Sequence, residues 1–405
     1  MSKKKLCFPS TRNDPPMRVM LIAPHPCFEP RGTPMRVQLM CLMMCEMGIE
    51  VHLVTYPMGK TIQMPGLHYH RIPQLPFFRR VSIGFSMAKV VYDVFLVAKV
   101  LGLLVRWRFA ALHAVEEAAV FAAPLGRLFR TPMIVDFNSE WVDQLSCHSS
   151  GAVRALAVIA APLQRWTIRL STCALTVCLA LTEHVKRISP GKAVFQIEDV
   201  PLPNTDLPPN EDRMAALRRE LQVEGRRVIL YTGNLQPYQG VDLLVDALPG
   251  VADRHPDAVT VVVGGEPEEI ARFRARSESI GVADCTRWVG QRDPETMPEF
   301  LDLAEVLVSP RREGENTPLK IYTYMASGRP TVATDLPTHT QVLDGELAIL
   351  VEATPAGLAD GLIRALDDPA AGSRMGARAK EAARRNHSCE SFRTKMGELY
   401  AFVTS

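Results

Sequence analysis

Twice along this chain a short, nearly unbroken apolar run meets a loop rich in glycine or proline, then a helical stretch, then another apolar run. Few folds accept that alternation. The first instance is Met17-Arg-Val-Met-Leu-Ile-Ala23, which stops at Pro24. A run so short and so apolar reads as a central parallel strand buried on both faces. The loop Phe28-Glu-Pro-Arg-Gly-Thr-Pro34 follows, with Thr33 as N-cap and Pro34 as the first residue of a helix over 34–47; Gly48 takes its C′ position. A strand over 50–55 completes a βαβ unit. Such a unit opens a doubly wound sheet, whose ligands sit at the carboxyl ends of the strands.

The alternation continues with strands over 112–115, 133–136 and 174–179, and with helices from Glu116 and around 153–170. Then Pro201-Leu-Pro-Asn-Thr-Asp-Leu-Pro-Pro209 places four prolines in nine residues, which forbids regular helix and marks a linker. A second series starts at Arg227-Val-Ile-Leu-Tyr-Thr232, turns at Gly233 and enters a helix near Val241. Its further strands are expected over 259–263, 285–289, 306–309, 331–333 and 348–351. A length of 405 residues suits two domains, each with its own core. The expected division is a disordered tail over 1–16, a first domain over 17–200, a linker over 201–210 and a second domain over 211–387.

Composition excludes several classes. With 47% hydrophobic and 22% charged residues the chain is neither extensively disordered nor a polytopic membrane protein. A formal net charge of +2 does not point to nucleic acid. The nine cysteines include no C-x-x-C pair and no zinc spacing, so no metal is expected. An odd cysteine count, and a lysine-bearing start with no apolar run behind it, suit a reducing cytoplasm; Cys41, Cys45, Cys173 and Cys178 read as small buried hydrophobes. His25, His52, His68 and His70 form no cluster by periodicity and are taken as incidental.

The segment 81–105 is rich in Val, Leu, Phe and Met but is interrupted by Lys89, Asp93 and Lys99, too often for a spanning helix. At 100° per residue those charges and Arg106 share an arc of about 140°, leaving a broad apolar face. Two readings stand. With Arg79, Arg80, Trp107 and Arg108 beside it, 79–108 suits an anionic membrane surface; the alternative is a core helix of the first domain.

The densest motif is Ser309-Pro-Arg-Arg-Glu-Gly-Glu-Asn-Thr-Pro-Leu-Lys-Ile-Tyr-Thr-Tyr-Met-Ala-Ser-Gly-Arg-Pro330. It reads as a strand end, a loop, Thr317 as N-cap, Pro318 as first helical residue, and a helix stopped by Gly328. Such a helix start offers unpaired N–H groups and a positive dipole end to an anion. Lys320, in the first turn, adds a full charge.

This stretch joins Arg31-Gly32-Thr33, Thr232-Gly233-Asn-Leu-Gln-Pro-Tyr-Gln-Gly240, Val263-Gly-Gly-Glu-Pro267, Val289-Gly290 and Ala304-Glu-Val-Leu-Val-Ser-Pro310 in order. In that order and spacing the chain resembles the family-four retaining glycosyltransferases of the GT-B fold. The resemblance implies an α/β protein of two Rossmann-like doubly wound domains facing each other across a cleft. It implies a donor domain second and an acceptor domain first, with a last helix within about 388–405 packing back on the first domain. The implied reaction moves a hexose from a UDP- or GDP-sugar to an acceptor with retention. The departing phosphate would take the acceptor's proton, so the nucleotide sugar is a co-substrate and no metal or other cofactor is implied.

Several positions depart from the family pattern. Where the family has an arginine after the glycine that ends the second domain's first strand, and a lysine before the next glycine, this chain has Asn234 and Gln239. Two charge-assisted contacts to the diphosphate become neutral ones, each about half as strong. Lys320 or Arg312 is the expected substitute. The family's two spaced glutamates fall at Glu315, with Glu313 as an alternative, and at Thr323, which would face the donor ribose. Asn138 stands where the family often has histidine. Glu315 and Asn138 are thus the catalytic candidates. The donor set is Gly32, Gly233, Asn234, Gln239, Glu266, Glu313, Gly314, Asn316, Thr317, Pro318, Leu319, Lys320 and Thr323. The plain structural alternatives are a solvated loop with a helix cap for 313–317, a turn for Gly32, and a solvent-facing side chain for Glu266.

The function expected is hexosyl transfer to a glycan or lipid-linked acceptor in cell-envelope or exopolysaccharide assembly, in the cytoplasm and at the inner face of the cell membrane. The replaced residues keep a catalytically impaired GT-B scaffold as an alternative, and a sugar-nucleotide epimerase as a third.

Overall fold

The computed structural model describes residues 16–29, 32–78, 81, 87–139, 142, 151–202 and 210–405, without the side chains of 87 and 152–156. The expected tail apart from Pro16, together with Arg31, Arg79, Arg80 and linker positions 203–209, lies outside the described residues. The chain divides into two compact units, one made of Met1–Glu198 with Cys389–Ser405 and the other of Asp199–Ser388.

The first unit is built on the strands β1 (Arg18–Ala23), β2 (Glu50–Thr55), β3 (Leu67–Arg71), β4 (Ala111–Val115), β5 (Met133–Phe137), β6 (Cys173–Thr176) and β7 (Val194–Gln196). All pair in parallel in the order β3-β2-β1-β4-β5-β6-β7. From Val19 to Ala23 the central β1 is fully buried, as a strand covered on both faces requires. β3 and β7 escape the sequence reading because they are edge strands, partly exposed, with no continuous apolar run to announce them. The first helix begins at Gly32, so Thr33 is not its N-cap; its hydroxyl instead points at the Glu116 carboxylate, 3.5 Å away. Gly48 does leave that helix at φ +82°.

The last helix, Cys389–Thr404, belongs to this first unit. Its buried residues Phe392, Met396, Leu399, Tyr400 and Val403 recur at helical spacing. Burying each such side chain contributes roughly 1.5–3 kcal/mol. The Tyr400 hydroxyl lies 2.7 Å from Nδ1 of His113 in β4, and Lys395 pairs with Glu198 at 2.5 Å.

The helix Met87–Arg106 buries Tyr92, Leu96, Val100, Leu103 and Leu104. Two of its charges lie on that inner side. Lys89 pairs with Glu117 at 2.8 Å, and Asp93 accepts from the Tyr56 hydroxyl at 2.7 Å. The outer face therefore carries an apolar stripe of Val90, Val94, Leu101 and Val105, with Val94 66% and Val105 74% exposed. No helix among the described residues is long and apolar enough to cross a membrane.

The second unit repeats the plan with β8 (Arg227–Thr232), β9 (Ala258–Val263), β10 (Thr286–Gly290), β11 (Val306–Ser309), β12 (Thr331–Thr334) and β13 (Ile349–Val351). These form a parallel sheet in the order β10-β9-β8-β11-β12-β13. Strand order reverses between β8 and β11, and between β1 and β4 in the first unit. At such switch points the loops after adjacent strands part and leave room for a ligand.

Candidate active site

In the second unit the loops after β8, β9 and β11 meet, and glycine lets them approach. Gly264 follows β9 at φ +117°; a Cβ there would sit 2.0 Å from the Gly233 carbonyl oxygen. Gly240 has φ +69°, and its Cβ would fall 1.9 Å from the Pro310 carbonyl oxygen. Between them the 233–240 loop holds itself. The Tyr231 hydroxyl donates to the Asn234 carbonyl at 2.6 Å, and the Asn234 amide donates to the Tyr238 hydroxyl at 3.3 Å.

Lys320 projects into this meeting point from the helix Leu319–Ser327. Its Nζ donates to Gln239 Oε1 at 3.2 Å and stands 3.9 Å above the Tyr231 ring. It also reaches Gly233, where a Cβ would come within 2.9 Å of that nitrogen. Burial, and then the charge of Arg311, push the ammonium well below the usual lysine range. Among the described residues no carboxylate pairs with it. The position where the family has lysine therefore holds Gln239, whose carbonyl aims a cation supplied by another element. Of the two substitutes expected, Arg312 is instead paired with Asp242 at 2.5 Å.

The loop before that helix is fastened from behind. Arg311 donates to the Asn316 carbonyl at 2.5 Å and to the Thr338 hydroxyl at 2.6 Å, while its guanidinium lies over the Tyr238 ring at 5.2 Å. Gln341 donates to the Glu315 carbonyl at 2.6 Å. Glu313, Gly314 (φ +119°) and Glu315 stay exposed at the tip. Sequence reasoning passed over Arg311, because nothing in a pair of adjacent arginines says which one turns inward.

Thr317 is not the N-cap expected. Pro318 holds that position, and the helix runs from Leu319 because the first intrahelical bond goes from Ile321 N–H to the Pro318 carbonyl at 2.9 Å. A proline carbonyl can open the ladder, and this leaves the Leu319 and Lys320 N–H groups as helix-start donors. The Thr317 hydroxyl is buried with no hydrogen-bond partner among the described residues. A buried unsatisfied hydroxyl costs about 1–3 kcal/mol. Thr317→Val is therefore expected to leave the free protein equally or more stable, seen as an unchanged or raised thermal midpoint, while weakening any anion held at the helix start.

The remaining donor candidates divide. Thr323 is buried, and its hydroxyl accepts from the Leu202 N–H at 3.1 Å. Glu266 precedes the helix Pro267–Ser279; its backbone N–H donates to Glu269 at 3.0 Å, and its carboxylate accepts from Gln291 at 2.7 Å. His339, absent from the sequence reading, packs beneath the loop with Nε2 2.9 Å from the Ser309 hydroxyl. Burial holds it down at about 4, so it is neutral near pH 7.

In the first unit, Asn138 follows β5 and is buried, and Gly32 starts its helix with open space where a Cβ would be. Beside them stands a residue the sequence did not single out. Glu116, just after β4, takes φ +51°, a conformation that costs a non-glycine residue roughly 1–3 kcal/mol. It accepts from the Ser139 hydroxyl at 3.0 Å, and burial, then the charge of Glu117, push its carboxyl up to about 7. Strain and a raised carboxyl at the carboxyl end of a central strand make Glu116 a candidate functional position.

Residues 31–195 match the family model described as a glycosyl transferase 4-like domain, and residues 226–368 match that of glycosyl transferases group 1. The chain belongs to the group 1 glycosyltransferases. This glycosyltransferase is 26% identical over 377 residues to the phosphatidyl-myo-inositol mannosyltransferase of Mycobacterium leprae, covering 91% of this chain and 92% of the relative. It is 31% identical over 187 residues to the D-inositol 3-phosphate glycosyltransferase of Corynebacterium glutamicum, covering 44% of each. Among solved structures, sucrose-phosphate synthase from Thermosynechococcus elongatus matches with a TM-score of 0.78 at 19% identity, over 95% of this chain and 98% of the other. Anabaena HepE in complex with UDP and glucose matches with a TM-score of 0.74 at 16% identity, over 95% and 99%. At those identities the structures carry the fold, and the fold of this glycosyltransferase is GT-B.

Proposed function

We propose that this glycosyltransferase moves a hexose from a UDP- or GDP-linked donor to a lipid-linked acceptor, with retention, in envelope or exopolysaccharide assembly. The carrying observation is Lys320, a desolvated amine with no carboxylate partner among the described residues, set beside Gly233 and at a helix start. A diphosphate in that place would take the ammonium, the amides of Leu319 and Lys320, and the Thr317 hydroxyl. Those groups would stabilise the charge that grows on the leaving phosphate as the glycosidic bond breaks. Asn234, Gly314 and Asn316 would contribute polar contacts around it. Glu313 or Glu315 would meet the sugar hydroxyls, and Glu116 and Asn138 would orient the acceptor.

The lipid-linked acceptor is supported by the apolar stripe Val90, Val94, Leu101 and Val105, flanked by exposed Arg106 and Arg108. It is also supported by the name of the mycobacterial relative, which specifies a phosphatidylinositol. An apolar face immersed at the headgroup level, with basic residues each contributing about 1 kcal/mol near anionic lipid, suits surface binding without crossing. The double variant Val94→Glu/Val105→Glu is expected to lose co-flotation with phosphatidylglycerol vesicles that the parent shows; equal flotation of both would reject the surface. The transfer itself is tested with radiolabelled UDP- and GDP-hexoses and a bacterial lipid extract. Label entering the organic phase with the donor's anomeric configuration is the expected result, and inverted product or transfer to water alone would overturn the reading.

A further inference from the structure

Three of the four histidines taken as incidental, His52, His68 and His70, are not scattered. β2 and β3 pair in parallel with His52 opposite His68 and Val54 opposite His70. This places three imidazoles and Glu50 together near the amino ends of the strands, away from the carboxyl ends where Glu116 and Asn138 lie. Periodicity within either strand could not reveal this, because cross-strand register brings the residues together.

We propose that Glu50, His52 and His68 form a binding site for a divalent transition ion of the zinc type. Glu50 Oε1 lies 3.3 Å from His52 Nε2 and 3.3 Å from His68 Nε2, and all three atoms fall within 4.8 Å of one another. A tetrahedral ion with bonds of about 2.0–2.1 Å requires ligand atoms about 3.3 Å apart, so two of the three edges already have the right length. One carboxylate with two imidazoles is a donor set that zinc accepts, and the half-exposed His68 leaves a fourth position open to water.

The groups behind the ligands are in place as well. Arg18 Nε donates to the other Glu50 oxygen at 2.8 Å, fixing the carboxylate with Oε1 free to turn toward an ion. His52 Nδ1 lies 2.9 Å from His70 Nε2, so a metal on His52 Nε2 would be matched by an Nδ1–H donated to His70. Trp107 packs edge-on against His52 at 4.5 Å and holds the ring plane. Such outer contacts orient ligands and raise affinity. The positive charges of Arg18 and Lys99 nearby oppose a dication, which favours a site of moderate affinity. An ion there would clip the edge strand β3 to β2.

The full chain, stripped with chelator, is titrated with Zn²⁺ by calorimetry at pH 7, and with Co²⁺ by visible absorption. One equivalent of zinc should bind and raise the thermal midpoint, and cobalt should give the intense absorption of a four-coordinate site. His68→Ala, at a half-exposed position, should abolish both, and His70→Ala should weaken binding by about 10–100-fold without removing a ligand. No saturable binding, a six-coordinate cobalt spectrum, or the same affinity in His68→Ala would overturn the proposal.

Discussion

Lys320→Met is expected to lower the rate of sugar transfer by about 10²–10³-fold, the scale on which one preorganised charge-stabilising donor acts. The loss should fall on kcat more than on KM if the ammonium matters most as the phosphate leaves. It should not come from unfolding. Burial holds Lys320 well below its usual range, so the folded state disfavours the charged form. The sign follows: folding binds fewer protons than unfolding over that window, and stability rises with pH toward the ordinary lysine value. Removing the amine relieves that cost, so the thermal midpoint at pH 7 should hold or rise. Bound diphosphate would draw the pKa back up, so binding should take up protons and weaken as pH climbs through the free-state value.

The companion substitution separates this reading from family likeness. Gln239→Lys restores the residue the family has, yet it is expected to impair rather than improve the enzyme. A second ammonium would stand where Gln239 now accepts from Lys320 at 3.2 Å. Two like charges about 4 Å apart repel by up to about 4 kcal/mol before solvent screening is counted. In the Lys320→Met background the same Gln239→Lys change should recover activity, because the site then again holds one cation. Steady-state kinetics on the two single variants and the double variant form a cycle that measures the coupling.

The second large effect concerns the glycines that bring the loops together. Gly264→Ala and Gly240→Ala each force a Cβ to within 2.0 Å and 1.9 Å of a backbone carbonyl oxygen, in left-handed or otherwise glycine-only backbone. No side chain can yield, since the obstructing atoms are backbone. Strain of roughly 1–3 kcal/mol from the dihedral adds to the displacement of a loop, so a loss of about 3–5 kcal/mol is expected, read as a lowered denaturant midpoint of the second unit. Gly345→Ala is the control, because its Cβ would meet nothing within 4 Å.

Much of the architecture was legible because central strands of a parallel sheet announce themselves. The runs at β1, β8 and β9 are apolar on both faces, and a glycine or proline closes each. What stayed hidden depends on lateral pairing. β3 reads Leu-His-Tyr-His-Arg and gains meaning only beside β2, which is also why the histidine cluster was missed. The helix Met87–Arg106 is legible as amphipathic, but which of its faces turns inward is not. Its charge arc gave no sign that Tyr56 and Glu117 would draw Asp93 and Lys89 inside.

Within the site, Lys320 was legible from its place in the first helical turn, whereas Arg312 was an equal candidate until Asp242 took it. Thr317 was misread because Thr-Pro normally signals a cap and a first helical residue, and here the ladder opens one residue later. Glu116 carried no motif at all. Its left-handed backbone and its burial are properties of the folded strand end, which one sequence does not display.

The most direct measurement is a calorimetric titration of UDP, GDP and ADP into the parent protein and Lys320→Met, in two buffers of different ionisation enthalpy. A diphosphate seated against Lys320 predicts one site for UDP or GDP, affinity at least about tenfold weaker in the variant, and proton uptake in the parent alone. Equal affinity in the two proteins, or no binding of any nucleoside diphosphate, would contradict it.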